Sequence, residues 1–136
     1  MMEHDSARKV LFICVHNAGR SQIAAAFFNR NAPEDYIGVS AGTEPGDHVH
    51  PEVVEAMREV GIDMAQEQPK KLTEEMTDGA ERAITMGCMD GMCPRTGLPT
   101  DDWALPDPKG RPLEEVRAVR DEIERRVKGL IEDLSH

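Results

Sequence analysis

The sequence predicts an α/β fold: a four-stranded parallel sheet with helices on both faces. Three observations predict it. Residues Val10 to Val15 are apolar without interruption, which suits a strand covered on both sides. Strand-like and helix-like segments alternate along the chain, and such alternation gives parallel strands joined by crossover helices. The last segment, from Leu113 to Leu134, carries an apolar face at helical spacing.

Taken in order, the first strand is Val10 to Val15, followed by a polar turn at His16-Asn17-Ala18-Gly19. Ser21 to Asn29 reads as a helix with Ile23, Ala24, Phe27 and Phe28 on one side. Tyr36 to Ala41 is a short second strand, and Gly42 to His50 a loop. Pro51 suits the first turn of a helix that carries Val53, Val54, Met57 and Val60 inward and stops at Gly61. Leu72 to Gly79 is a short helix capped by Thr73, with Met76 turned inward. Ala83 to Met86 is the third strand and Trp103-Ala104-Leu105 a weak fourth. Pro106 to Gly110 forms a stiff turn. In the final helix Val116, Val119, Ile123, Val127, Leu130 and Ile131 face inward, and Glu124 pairs with Lys128 at i,i+4.

A chain of 136 residues predicts one domain. We place it at residues 9–134, a single catalytic domain behind a flexible N-terminal arm, residues 1–8. Sixteen Lys and Arg against 26 Asp and Glu give a formal charge of −10, a field that repels nucleic acid and anionic membrane. No apolar run approaches the roughly 18 residues a membrane span needs. Three cysteines, Cys14, Cys88 and Cys93, are an odd number and do not make a disulfide scaffold. The expectation is a cytoplasmic protein whose cysteines are inert, bind metal, or do chemistry.

The stretch Cys14-Val15-His16-Asn17-Ala18-Gly19-Arg20-Ser21 joins a buried strand to a helix. Backbone amides in such a loop, with the helix amino end behind them, form a nest for an anion. Arg20 supplies a planar fork of donors for a tetrahedral oxyanion. Cys14 in that positive field has its thiolate stabilised, and the Ser21 hydroxyl is placed to donate to the sulfur. The bland reading is a structural cysteine at a strand end. His16 has both a ligand role and simple solvation open to it. Asn17 is expected to brace the loop with its side chain, and Gly19 to supply a positive φ or close approach by the anion.

Cys88-Met89-Asp90-Gly91-Met92-Cys93-Pro94 admits three readings. Zinc needs a fourth ligand beyond the cysteines, such as His16, and the spacing is loose for it. Inert buried thiols sit oddly in a polar, glycine-containing loop. A redox relay uses all three sulfurs: Cys14 forms an adduct with the oxyanion's central atom, Cys88 attacks Cys14, and Cys93 attacks Cys88. Hydrolysis of a phosphate ester needs one cysteine and water, whereas reduction needs electrons that two further thiols supply. Arsenate has phosphate's shape and accepts two electrons. Asp107, held between Pro106 and Pro108, is placed to protonate a leaving oxygen, or else serves only as a turn residue. Trp103 anchors the loop before it, and His50 is positioned to cap the helix at Pro51.

With these motifs in view, the chain resembles the thioredoxin-coupled arsenate reductases built on the low-molecular-weight protein tyrosine phosphatase fold. The resemblance runs from about residue 9 to 134. It rests on Cys14 to Arg20 with Ser21, Ser40-Ala41-Gly42, Cys88 and Cys93-Pro94, Trp103 through Asp107-Pro108, and Arg117 to Ile123. It implies Cys14 as nucleophile, Arg20 as anion clamp, Ser21 as thiolate activator, Asp107 as general acid, and Cys88 and Cys93 as relay. The loop Val15 to Gly19 would bind the oxyanion, and thioredoxin or a similar dithiol would be the reductant. Some members hold potassium near the anion loop. Asn17 and Ser40 match two of its ligands, but Ala25 and Lys71 stand where the carboxylates would be, so we expect no potassium, no other metal and no cofactor. Two alternatives remain: a tyrosine phosphatase of the same fold, which lacks its aromatic wall here because Lys109-Gly110 follows Asp107-Pro108 and Tyr36 is the only tyrosine; and a thiol sensor or zinc-binding module without turnover.

Overall fold

The computed structural model describes residues 8–86 and 97–134. Cys88 and Cys93, and the arm before Arg8, lie outside the described residues. In chain order the elements are β1 (Arg8–Cys14), α1 (Arg20–Asn31), β2 (Tyr36–Gly42), α2 (Pro51–Arg58), α3 (Glu74–Asp78), β3 (Ala80–Thr85), β4 (Thr100–Asp102) and α4 (Leu113–Leu134). Among the described residues the sheet has four strands in the order β2-β1-β3-β4, and every pairing is parallel. The expected architecture is the observed one.

β1 sits in the sheet's interior and is buried on both faces, which is why its sequence is apolar throughout. Alternation divides it. Val10, Phe12 and Cys14 face a large cluster with Ile23, Phe27 and Phe28 of α1, Val53 and Met57 of α2, and Val116, Ile123 and Val127 of α4. Leu11 and Ile13 face a smaller cluster with Ala41 and Ala83, against which Leu72, Met76 and Leu98 pack. Among the described residues the helices therefore cover the faces unequally, with only the five-residue α3 on the second side. Phe12, Phe27 and Phe28 are fully buried, and Phe12 touches both Phe28 and Trp103 with ring centroids 5.7 and 6.2 Å apart. Each such side chain contributes on the order of 2 kcal/mol by leaving water.

Several boundaries differ from expectation. Arg8 is not part of the arm but the first residue of β1. Its guanidinium bonds Glu81 at 2.7 Å and stacks over Tyr36 at 4.6 Å. The fourth strand is Thr100–Asp102 rather than Trp103 to Leu105, and all three of its residues are exposed. An edge strand needs only backbone pairing, here with Ala83, Ile84 and Thr85, reinforced by Thr85 Oγ1 donating to Asp102 Oδ1 at 2.7 Å. The apolar character of Trp103 and Leu105 reports core packing instead of strand pairing. α3 is shorter than expected, but Thr73 does accept the Met76 amide as its cap. α2 ends at Arg58, and Gly61, with φ 85°, closes the turn that follows. α4 spans the expected range, and Lys128 lies 3.4 Å from Glu124.

Candidate active site

The chain leaves β1 at Cys14, where the carboxyl ends of parallel strands open a crevice. The segment from Val15 to Gly19 turns its carbonyls toward the 43–50 loop. Amides of Thr43, Glu44, Gly46 and His50 donate to the carbonyls of Cys14, Val15, His16 and Ala18 at 2.8 to 3.3 Å, and the Gly19 carbonyl takes Ile23 N of α1. Among the described residues no backbone carbonyl takes the amides of residues 15 to 19 in exchange. Successive amides without carbonyl partners are the kind of feature from which an anion nest is built. The helix behind them adds to this: α1 has no side-chain cap and no acidic residue in its first turn, so its amino end is open.

Cys14 is buried, and its Sγ lies 2.9 Å from Ser21 Oγ. Against a Cys14 thiolate, which can only accept, Ser21 is the donor, and the surrounding bonds leave its proton available for that. Lys70 N, a backbone donor, points at Asn17 Oδ1 at 2.8 Å. That fixes the Asn17 carboxamide with its oxygen there and its Nδ2 facing Ser21 Oγ at 2.7 Å. Ser21 accepts from Asn17, so its own proton is free for the sulfur. The chain of donors runs toward Cys14, and each bond polarises the next. Asn17 takes φ 51°, the left-handed region, while Gly19 takes φ −149°. The positive φ expected at Gly19 therefore belongs to Asn17, whose side-chain bonds hold it there. Gly19 is required for contact instead: a methyl group on it would lie 3.1 Å from Pro108 Cγ and 3.5 Å from His50 Cδ2. The approach it allows is that of the proline turn.

Arg20 is buried, with Nη1 donating to the Leu105 carbonyl at 2.9 Å and Nη2 3.9 Å from Asp107 Oδ2. These contacts tie the guanidinium to the 105–107 segment. Asp107 is the more open partner, its side chain 45% exposed. Its Oδ1 accepts Lys109 N at 3.0 Å, the bond of a turn residue, and its Oδ2 faces Arg20. Arg111 Nε binds the Asp107 carbonyl at 3.0 Å, and Gly110 N donates to Glu52 at 3.2 Å, so the turn is fastened to the start of α2.

His16 Nδ1 sits 3.0 Å from the Glu44 carbonyl and therefore carries its proton there. Its side chain braces the 43–50 loop. His50 does not cap α2 with its side chain; its backbone N binds Ala18 O at 3.0 Å and its ring rests against Gly19. Burial pushes the His50 imidazole pKa down, against the pull of Asp107 and Glu52. Trp103 packs on the core before the Asp107 turn as expected. Tyr36 begins β2, at the end of the sheet away from Cys14.

Two residues escaped the sequence reading. Gln22 is 3% exposed, and its Nε2 lies 3.1 Å from Asn17 O, Asn17 Oδ1 and Gln68 O. Lys70, not Lys71, reaches Asn17 and lines a cavity of about 190 Å³ with Ala25 and Ser40; Lys71 pairs with Gly42 in a strand-like bridge. The available signal was a polar residue following Arg20-Ser21 in a helix turn that is otherwise buried. Among the described residues no cluster of three or more His, Cys, Asp or Glu is arranged to hold a metal ion, and no helix is long and apolar enough to cross a membrane.

Residues 9–136 match the profile of the low molecular weight phosphotyrosine protein phosphatases. A putative arsenate reductase of Halobacterium salinarum is 40% identical over 139 residues, covering 98% of each chain. A glutaredoxin arsenate reductase of Synechocystis sp. is 34% identical over 131 residues, covering 94% of this chain and 99% of that one. Among solved structures, the thioredoxin-dependent arsenate reductase of Corynebacterium glutamicum superposes with a TM-score of 0.78 at 36% identity over 96% of this chain, which spans 64% of that protein's length. The chain belongs to the low molecular weight phosphotyrosine protein phosphatase family and is similar to arsenate reductases.

Proposed function

We propose that the protein reduces arsenate to arsenite by way of a Cys14–arsenic adduct and a three-cysteine disulfide relay. The observation that carries the reading is the one-way chain of donors ending on Cys14 Sγ, at the root of a loop whose amides and Arg20 fit a tetrahedral oxyanion. Relatives of similar length that carry the name arsenate reductase support it.

Arsenate binds the amides of Val15 to Gly19 and the Arg20 fork. The Cys14 thiolate, held by the Ser21 proton, attacks arsenic. An As–O bond breaks, and Asp107 gives the proton that lets the oxygen leave as water. Cys88 then attacks the Cys14 sulfur. The S–As bonding pair stays on arsenic, which becomes As(III) and departs as arsenite, leaving a Cys14–Cys88 disulfide. Cys93 attacks Cys88 and frees Cys14 as a thiolate. Two thiols have lost two electrons and arsenic has gained them. A dithiol protein such as thioredoxin or glutaredoxin reduces the Cys88–Cys93 disulfide, and an odd cysteine count suits the reducing cytoplasm. The two relay cysteines are assigned by sequence and chemistry.

Tyrosine phosphatase action is the second reading, because the same loop cradles phosphate. Against it, Tyr36 lies at the far end of β2 and Lys109-Gly110 replaces an aromatic wall beside Asp107. A coupled assay separates the two. Arsenite should form with thioredoxin or glutaredoxin as donor, with slow release of phenol from an aryl phosphate. Fast phenol release without arsenite would overturn the reductase assignment.

A further inference from the structure

We infer that Gln22 is a positioning residue for the Cys14 nucleophile: its buried carboxamide sets Asn17, and through Asn17 it sets the Ser21 hydroxyl. The proposal rests on Cys14 being the nucleophile.

Gln22 is 3% exposed, and all three contacts of its Nε2 are oxygens that only accept: Asn17 O, Asn17 Oδ1 and Gln68 O, each at 3.1 Å. Three acceptors around one atom admit only the amide nitrogen there, so the orientation of Gln22 is not free. Two of the three bonds go to the same residue, one to its backbone and one to its side chain. Asn17 is the non-glycine residue with positive φ among the described residues, a conformation disfavoured for L-residues. Gln22 therefore grips Asn17 at both ends of the piece that has to be held in place.

The consequence travels in one direction. With Gln22 and Lys70 N both donating to Asn17 Oδ1, the carboxamide cannot turn over without setting two donors against its NH2. Its Nδ2 then stays on Ser21 Oγ, and the Ser21 proton stays available to the Cys14 thiolate. Gln22 touches neither sulfur nor oxyanion, so its part is geometric. Its third bond, beside that of Lys70 N, ties the anion loop to the 68–70 segment.

The test uses the full chain carrying Cys88→Ser and Cys93→Ser, so that Cys14 is the one thiol. Thiolate absorbance at 240 nm is followed against pH, with melting temperature measured in parallel. Gln22→Met removes the donors at similar volume. Gln22→Glu keeps the shape but presents acceptors to acceptors. In both, thiolate absorbance should develop at more alkaline pH, by about half a unit for Gln22→Met, the order of one lost hydrogen bond, and by more for Gln22→Glu. Folded variants with a lower melting temperature but the parent pH profile would reduce Gln22 to a packing residue and overturn the proposal. A measurement on the unsubstituted protein guards against variants that do not fold. The Gln22 carboxamide protons, seen by nitrogen-edited NMR, should exchange slowly with water; exchange at the rate of a free side-chain amide would also overturn it. Neither readout uses arsenate, so failure here is separable from failure of the reductase reading.

Discussion

Asn17 donates its side-chain amide to Ser21 Oγ at 2.7 Å, and that bond leaves the Ser21 proton available on the side of Cys14. Cys14 Sγ lies 2.9 Å away, and as a thiolate it can only accept that proton's hydrogen bond. The donor is supplied by a residue in left-handed backbone conformation, which brings strain, position and nucleophile into one unit.

Ser21→Ala tests the last link of this chain. A hydrogen bond to a charged acceptor is worth about 1.5–3 kcal/mol, or roughly tenfold to a hundredfold in rate. kcat should fall by that factor while KM for arsenate changes little, because loop amides and Arg20 still bind the anion. Steady-state kinetics on arsenite formation checks it, and an unchanged kcat with a raised KM would assign Ser21 to binding instead.

Asn17 separates backbone from side chain. Asn17→Gly removes the side-chain bonds but tolerates φ 51°, whereas Asn17→Ala removes the bonds and adds the conformational cost. The glycine variant should be the more stable by about 1 kcal/mol in urea titrations. Both should lose activity alike, since both lose the donor to Ser21.

Gly42 is pressed against the anion loop. A methyl group there would lie 2.6 Å from Val15 O and 2.9 Å from Asn17 N, both backbone atoms. Gly42→Ala should cost about 1–3 kcal/mol and deform the loop, with arsenate affinity falling per folded molecule. Gly38→Ala is the control: its methyl would meet Phe28 Cδ2 at 2.9 Å, in the core and away from the loop. It should lose stability while the folded fraction keeps its arsenate affinity.

Glu59 joins α2 to α4. Its carboxylate takes Arg117 Nη2 at 2.6 Å and Arg120 Nη1 at 2.9 Å, and these guanidiniums hold its pKa down, at about 2. A carboxyl with a depressed folded pKa binds fewer protons than in the unfolded chain. Its stabilisation is therefore present above the unfolded pKa near 4.5 and is lost as pH falls toward 2. Glu59→Gln should be less stable than the parent at pH 7, and the gap should close between pH 4.5 and 2. Salt should narrow the gap at pH 7, as it screens exposed pairs.

Much of this was legible in the sequence, for a physical reason. The burial of β1 on both faces forces an unbroken apolar run, and the length of α4 forces a repeating apolar face, so both were recognisable at sight. The Cys14-to-Ser21 contact was legible because a strand-to-helix turn of that length returns the helix's first residues to the strand end. The position of β4 was not, since an exposed edge strand needs no apolar residue, and the apolar signal at Trp103 and Leu105 belonged to the core. Gly19 was misassigned because glycine is the usual owner of a positive φ; here Lys70 N and Gln22 bond the asparagine that takes it. Gln22 carried only a weak signal, because a glutamine on a helix reads as surface until Gln68 and Lys70, distant in the chain, are known to lie beside it.

The central claim is that three sulfurs pass an oxidation from Cys14 outward. It is tested most directly by mass mapping of thiols after anaerobic incubation with arsenate. The unsubstituted protein should carry a Cys88–Cys93 disulfide, and Cys93→Ser should trap Cys14–Cys88. Both chains fully reduced, while an aryl phosphate is cleaved quickly, would contradict the relay.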